Sequence, residues 1–361
     1  MKITGFKLYT RDIKLDRPFT TALETVSEAS ELIFELNTDI ATGYGASVPT
    51  EVITGDSMGG MVDLLKNKIG PALIDLNPLE INKALKSIDG AVIHNYAAKA
   101  AAEIALYDLV SSIKKEPLWK YLGGSKRDLY TDMTIGVNDS HIMAESAVKA
   151  TSNGFKTLKL KVGIDPELDF NRVKAVYQAV GPDISLRLDA NQGWTVNQAI
   201  NIIKRFENAG LKLELVEQPV SADDIEGLKL VKDNVLTPIM ADESLFTVKD
   251  AVKLLELRAI DYLNIKLMKT GGIRNALQIA DLADRYGINC LLGCMLETRV
   301  SITAAASVAS AAENITKLDL DAPLMIGDDG VDGGVTYADD KILLNNQSGL
   351  GINEIKNLKS I

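Results

Sequence analysis

The sequence predicts an α/β protein whose central part folds as a (β/α)₈ barrel. Three observations carry this expectation. From about residue 128, eight short β-rich runs alternate with longer amphipathic stretches, as in parallel strands joined by right-handed helical crossovers. Charged residues recur at the ends of successive strands, one βα unit apart. No strand is followed by GxGxxG, and no GxxxxGK[ST] occurs. That counts against a doubly wound nucleotide-binding sheet, while an open sheet stays as the alternative architecture.

The elements follow in chain order. The first 45 residues read as strands: KITGFKLY and ELIFEL alternate or run apolar, and ATGYGAS reads as a glycine-rich turn. Between them RPFTTALETV, residues 17–26, suits a hairpin or a lid. MVDLLKNKIGPALI and PLEINKALKSI have helical periodicity, and AAKAAAEIALYDLVSSIKK is the strongest helix in the chain. PLWKYLGG ends on a glycine stop signal, which sets a domain boundary near residues 123–128. The eight barrel strands are then YTDMTIGV, TLKLKVG, ISLRLDA, LELVEQP, TPIMADE, YLNIKLM, CLLGCM and a weaker ITKLDLD. Helices are expected at about 143–153, 167–180, 196–209, 221–232, 247–256, 271–286 and 299–313. The tail beyond Asp321, with GDDGVDGG and QSGLGI, has short β-like runs and is expected to complete the first domain.

Composition bounds the function. The chain has 361 residues, 49 acidic against 39 basic, and a formal net charge of -10. It is ordinary globular material with enough apolar residues for a large core. The acidic balance argues against a nucleic-acid partner or an anionic membrane surface. Cys290 and Cys294 lie too close in sequence to frame a disulfide scaffold, and reduced thiols fit a cytoplasmic protein. The opening MKITGFKLYTRD does not read as a signal peptide, and no apolar run reaches the ~18 residues of a membrane span.

The chemical signal begins in TLKLKVG. Lys159 and Lys161 are two apart, so they share one face of a strand, and two lysines facing a barrel interior need anions, solvent or a function. The next strands end at Asp189 (LRLDANQGW), Glu217 (LVEQP), Asp242 (IMADES) and Lys266 (LNIKLMKTGG). Counted from Lys161, the intervals are 28, 28, 25 and 24 residues, each the length of one βα unit. Three carboxylates should therefore converge at the C-terminal mouth, flanked by Lys161 and Lys266. Their oxygen donors suit a hard divalent cation such as Mg²⁺. The set implies proton chemistry beside a carboxylate: a cation stabilises charge as an α-proton leaves, one lysine takes the proton and another returns one from the other face. A lysine base must have its pKa lowered from the reference of ~10.4. His94 and His141 lie outside these strand ends.

The chain resembles the enolase superfamily, in its mandelate racemase/muconate lactonizing enzyme family, and within that the dipeptide epimerases of the alanine–glutamate type. The stretches that carry the resemblance are VITGDSM, AAAEIALYDL, TLKLKVG, LRLDANQGW, ELVEQPV, TPIMADES, LNIKLMKTGG, GCMLET and KLDLDAPL, spread over nearly the whole chain. The resemblance implies a modified (β/α)₇β TIM barrel at 124–324 and an α+β capping domain at 1–123 completed by 325–361. It implies Mg²⁺ on Asp189, Glu217 and Asp242, with Lys161 and Lys266 as the acid/base pair and Lys159 neutralising the substrate carboxylate. Asp319 and Asp321 match the D-x-D segment that receives a dipeptide's N-terminal ammonium, and Thr134, Cys294 and Met295 complete the expected substrate contacts. Glu297 is expected to orient neighbouring groups or cap a helix.

One departure is informative. Alanine–glutamate epimerases have arginine at the position of Glu24, where it receives the substrate glutamate carboxylate. An ionised Glu24 repels that group. With Phe19, Leu23, Val52 and Ile53 nearby in the cap loops, the expected activity is epimerisation of non-acidic, hydrophobic or aromatic L,L-dipeptides at the C-terminal residue, an isomerase reaction. The alternatives are cationic dipeptides, L-Ala-D/L-Glu itself, another enolase-type reaction such as muconate cycloisomerisation or o-succinylbenzoate synthesis, and, least favoured, a non-enzymatic barrel scaffold. The expected partner is a small-molecule dipeptide, and homo-oligomerisation is left open.

Overall fold

The computed structural model describes residues 1–361, the side chain of Asp16 left aside. Strands β1 (Ile3–Thr20), β2 (Thr25–Thr38) and β3 (Thr42–Ser47) form an antiparallel sheet, and β17 (Lys359–Ser360) adds to the free edge of β1. Residues 17–26 form the hairpin end: Thr20 pairs with Thr25, and Thr21 N donates to Glu24 O at 2.9 Å.

The GYG segment, read above as a turn, lies instead inside β3. The reason is packing. A Cβ on Gly45 would fall 1.9 Å from Ala101 O, and one on Gly43 would fall 2.3 Å from Ala105 O. These glycines let the strand lie directly on the helix Tyr96–Ile113. That helix is buried on every face from Ala97 to Ser111. It packs on β2 and β3 on one side and on the helices Leu267–Thr270, Ile273–Arg285 and Arg299–Ala311 on the other. The alanines make both approaches close. The helix predicted over MVDLLKNKIGPALI is interrupted by a π turn, Leu65–Ile69. Pro71 follows it, with no N–H to donate to the preceding turn.

The expected first barrel strand divides. β4 (Leu129–Tyr130) joins β14 (Thr336–Ala338) and β15 (Lys341–Leu343) in a separate small sheet, while β5 (Met133–Ile135) opens the barrel. There follow β6 (Thr157–Lys161), β7 (Ser185–Asp189), β8 (Leu213–Glu217), β9 (Ile239–Ala241), β10 (Tyr262–Lys266), β11 (Asn289–Gly293) and β12 (Ile315–Asp319), each paired in parallel with the next. A parallel bridge between Thr131 and Leu318 joins the two edges, so the sheet closes. The barrel is realised and the open sheet is not.

The crossover helices start and stop close to their expected bounds. The helix expected at 271–286 starts at Ile273, because Gly271 and Gly272 both take positive φ (78° and 126°) after the short helix Leu267–Thr270. The one expected from 221 starts at Ile225, because Asp224 accepts from Gly227 N as its cap. Below the strand ends, fully buried Leu215, Met240 and Leu291 plug the barrel, leaving the mouth to polar side chains. In the tail, β13 (Val331–Gly333) pairs with β16 (Ile352–Ile355). Among the described residues no helix is long and apolar enough to cross a membrane.

Candidate active site

Strand register assembles the site. Lys161 lies opposite Asp189, and Asp189 opposite Glu217, as Cα partners on β6, β7 and β8. Asp242 is the first residue after β9, and Lys266 ends β10. β6 and β10 are four strands apart in a closed ring of eight, so Lys161 and Lys266 rise from opposite walls with the three carboxylate-bearing strands between them. Lys266 pairs with Gly293 of β11. A Cβ on Gly293 would meet Asn264 Oδ1 at 2.7 Å and Lys266 Cε at 3.1 Å, so the glycine makes room for the lysine.

Asp189, Glu217 and Asp242 are buried, and one oxygen of each lies within 4.8 Å of the others. Three hard donors this close fit one divalent cation. Glu217 Oε2 is buried without a hydrogen bond, though Lys159 Nζ is 2.8 Å away outside bonding angles. Ammonium groups surround the triad. Lys159 Nζ lies 3.0 Å from Asp189 and donates to Asp319 at 2.7 Å. Lys161 donates to Asp189 Oδ2 at 2.6 Å, and Lys266 to Asp242 Oδ2 at 2.7 Å.

Burial alone would lower the Lys266 and Lys159 pKa values. The facing carboxylates, chiefly Asp242 for Lys266 and Asp189 for Lys159, outweigh it and hold both ammoniums above the ordinary lysine range. The lowered lysine that base catalysis requires is therefore not a property of Lys266 among these carboxylates alone. Burial and Asp189 push the Glu217 carboxyl up to about 8. Burial also raises Asp242, but Lys266 and Lys269 reverse this and hold it below the usual carboxylate range.

Three buried partners escaped the sequence reading. Asn191 accepts from Lys161 Nζ at 3.2 Å and donates to Glu243 Oε1 at 3.1 Å, held there by a left-handed backbone (φ 41°). Asn264 donates to Glu217 Oε1 at 2.6 Å. It is two residues before Lys266, so the same-face rule that paired Lys159 with Lys161 would have found it. Lys269 is fully buried and contacts Asp242 Oδ1 and Asp242 O. Nothing in its local sequence signals that, because the side chain points inward only through the short helix Leu267–Thr270.

A cavity of about 490 Å³ opens over these groups, between barrel mouth and cap. Thr134, Lys159, Lys161, Lys266, Asp319 and Asp321 line its floor. Asp319 ends β12, whereas Asp321 lies past the strand at the cap of the short helix Ala322–Ile326. Thr134 N donates to Asp321 Oδ2 at 2.6 Å. Cys294 and Met295 form part of the wall. Burial, then Asp319, pushes the Cys294 thiol well above its usual value, so it stays protonated. Glu297 lies behind, accepting from Met295 N at 2.8 Å. Phe19, Leu23, Val52 and Ile53 line the cap side, and so does exposed Glu24 in the β1–β2 turn, with Glu28 and Glu51 beside it. Among the described residues that line the cavity, none is an arginine.

Comparison with known proteins agrees with this architecture. Residues 4–123 match the mandelate racemase / muconate lactonizing enzyme N-terminal domain, and residues 142–356 match the enolase C-terminal domain-like family. The chain is 45% identical to an L-Ala-D/L-Glu epimerase of Clostridium acetobutylicum, over 96% of this chain and 97% of that protein. It is 44% identical to a hydrophobic dipeptide epimerase of Enterococcus faecalis, over 98% of this chain and 99% of that one. A solved Enterococcus faecalis dipeptide epimerase, complexed with Mg and L-Leu-L-Tyr, superposes with a TM-score of 0.95 at 43% identity, covering 98% of this chain and 100% of that one. With a closed barrel, an antiparallel sheet over its mouth and both family domains in order, this chain belongs to the mandelate racemase/muconate lactonizing enzyme family of the enolase superfamily and is an isomerase.

Proposed function

We propose that this chain is a magnesium-dependent dipeptide epimerase, inverting the α-carbon of the C-terminal residue by proton transfer between two lysines. The observation that supports this most is that Lys161 and Lys266 stand on opposite walls, with Asp189, Glu217 and Asp242 on the strands between. In this reading residues 1–123 with 325–361 form the cap, and 124–324 the catalytic barrel.

Asp189, Glu217 and Asp242 would hold Mg²⁺, the ion named with the Enterococcus faecalis relative. The bound ion supplies positive charge to the substrate carboxylate as its α-proton leaves, and disfavours a second positive charge on nearby lysines. One lysine, as a neutral amine, removes the α-proton. The other, as an ammonium, delivers a proton to the opposite face, and the roles exchange in the reverse direction. Asn191 fixes the Lys161 amine through its side-chain oxygen. Asp319 and Asp321 receive the N-terminal ammonium, with Asp321 held by Thr134 N. Lys159 adds positive charge under the substrate carboxylate.

Overall similarity does not choose the substrate, since relatives named for an acidic and for a hydrophobic dipeptide stand at 45% and 44% identity. The residues of the cavity rim support a hydrophobic reading. Glu24 repels an acidic C-terminal side chain, and Phe19, Leu23, Val52 and Ile53 favour a hydrophobic or aromatic one. Cationic dipeptides are the second reading, favoured by Glu28 and Glu51 joining Glu24 on the lining. The test is solvent-deuterium incorporation at Cα with Mg²⁺ over a panel of L,L-dipeptides, free and N-blocked. Exchange and inversion of free dipeptides with hydrophobic C-terminal residues are expected. No exchange across the panel by folded, metal-loaded protein would refute the epimerase reading, and efficient turnover of N-blocked peptides would refute the ammonium contact.

A further inference from the structure

Below the expected ammonium pocket lies a third carboxylate with no role in the reaction as drawn. Asp132 immediately precedes β5 and is two residues from Thr134, so both point into the barrel. It is 1% exposed. One oxygen from each of Asp132, Asp319 and Asp321 lies within 4.8 Å of the other two. Asp132 Oδ2 accepts from Arg187 Nη1 at 2.7 Å, while Asp132 Oδ1 is buried with no hydrogen-bond partner.

The charges around this cluster do not balance it. Lys159 on β6 reaches Asp319 at 2.7 Å but is shared with Asp189 and Glu217. Arg187 on β7 is shared with Glu214 of β8, which also pairs with Lys317 of β12. From the other sides come only Cys294, after β11, and Tyr337 of β14, whose hydroxyl donates to Leu320 O. Lys161 and Lys266 act on Asp319 from farther across the mouth. Three buried carboxylates with two divided countercharges must hold a proton or a cation.

We propose that Asp132 is a specificity-determining member of the ammonium pocket, and that the Asp132–Asp319–Asp321 cluster exchanges one bound proton for the positive charge of an incoming α-ammonium. The carboxylic acid gives its proton to solvent, and the ammonium enters with its own protons intact. The inference rests on the dipeptide reading of the site. A neutral N-acyl group would then be a poor occupant, since it brings no charge to replace the proton. The direction of titration agrees. Burial and then Asp319 raise Asp132 well above the usual carboxylate range and Asp321 to about 7, whereas Lys159 overcomes burial to keep Asp319 ionised, at about 2.

The experiment is calorimetric titration of the Mg²⁺-saturated enzyme with L-Leu-Gly, which has no stereocentre to invert at its second residue, and with N-acetyl-L-Leu-Gly. Buffers of different ionisation enthalpy are compared at about pH 6.5, where a free α-amine (pKa ~7.7–8.0) is already charged. Binding of L-Leu-Gly should release about one proton, and the acetylated peptide none. Asp132→Asn keeps an acceptor for Arg187 but removes the charge. It should abolish most of the release and weaken L-Leu-Gly about tenfold, with melting temperature and Mg²⁺ affinity near the parent values. Binding of L-Leu-Gly by the parent without proton release, equal release by Asp132→Asn, or failure of an enzyme that epimerises dipeptides to bind L-Leu-Gly would each overturn the exchange. Failure of the parent to exchange Cα protons of any dipeptide is a different result, and refutes the proposed function instead.

Discussion

The floor of the cavity and its rim are built on opposite principles. On the floor, the charged side chains are buried against one another: the Asp242 carboxylate accepts from Lys266 and Lys269, while its own N–H donates to the Gln218 side-chain oxygen at 2.9 Å. At the rim, Glu24 sits exposed in a four-residue turn held by Thr21 alone, through Thr21 N to Glu24 O and Glu24 N to Thr21 Oγ1. A group that must move a proton has to stand within a fraction of an ångström of its target, and redundancy supplies that. A group that selects among side chains needs only the right charge in the right region, so an exposed turn can carry it and can change without disturbing the floor.

The largest test of this contrast is at the floor. Lys161→Ala and Lys266→Ala should each lower epimerisation by at least ~10³-fold, with little change in far-ultraviolet dichroism. Each variant should still exchange the α-proton on the face of its surviving lysine, so deuterium incorporation should become selective for one enantiomer. Near-parent turnover by either would end the two-lysine assignment.

Asp242→Asn should come next. It removes a charged donor from the triad and leaves Lys266 and Lys269 buried beside a neutral amide. Mg²⁺ affinity by calorimetry should fall at least about tenfold, and unfolding free energy by about 3–5 kcal/mol. Unchanged metal affinity would remove Asp242 from the proposed ligand set.

At the rim the expected effects are smaller and confined to preference. Glu24→Arg should raise the ratio of kcat/KM for Glu-ending over Leu-ending dipeptides by ~10–100-fold, with no loss of stability. An unchanged ratio would show that the turn does not select.

The smallest effect concerns the seam between the cap sheet and its helix. Asp108 accepts from Tyr44 N at 2.7 Å and Leu350 N at 2.6 Å, and burial pushes its carboxyl up to about 7. The folded state therefore holds a proton that the unfolded chain releases near pH ~4. Its contribution to stability is complete below that pH and is lost as pH rises through about 7. Asp108→Asn keeps one acceptor but turns an NH2 toward the other N–H. It should melt lower than the parent below about pH 4, by a margin that narrows as pH rises through about 7; the same pH dependence in both proteins would contradict this.

Much of the floor is legible in the sequence. Lys161, Asp189, Glu217, Asp242 and Lys266 were found because each ends a strand of a repeating unit, and a repeat converts spacing in sequence into proximity in space. The cap was less legible. GYG reads as a turn by composition, and only the helix lying against Gly43 and Gly45 makes it a strand. Lys269 and Asp132 look like ordinary surface charges in a linear reading, yet both are buried.

What the sequence determined by itself was the order of strands and the chemistry at their ends, because alternation and periodicity are local properties of the chain. What only the tertiary structure decided was closure. The bridge from Thr131 to Leu318 joins residues far apart in sequence, and it is closure that sets β6 against β10 across one cavity and buries the charges between them. No local pattern encodes that pairing, since it arises when the accumulated twist and tilt of eight strands bring the first edge to the last.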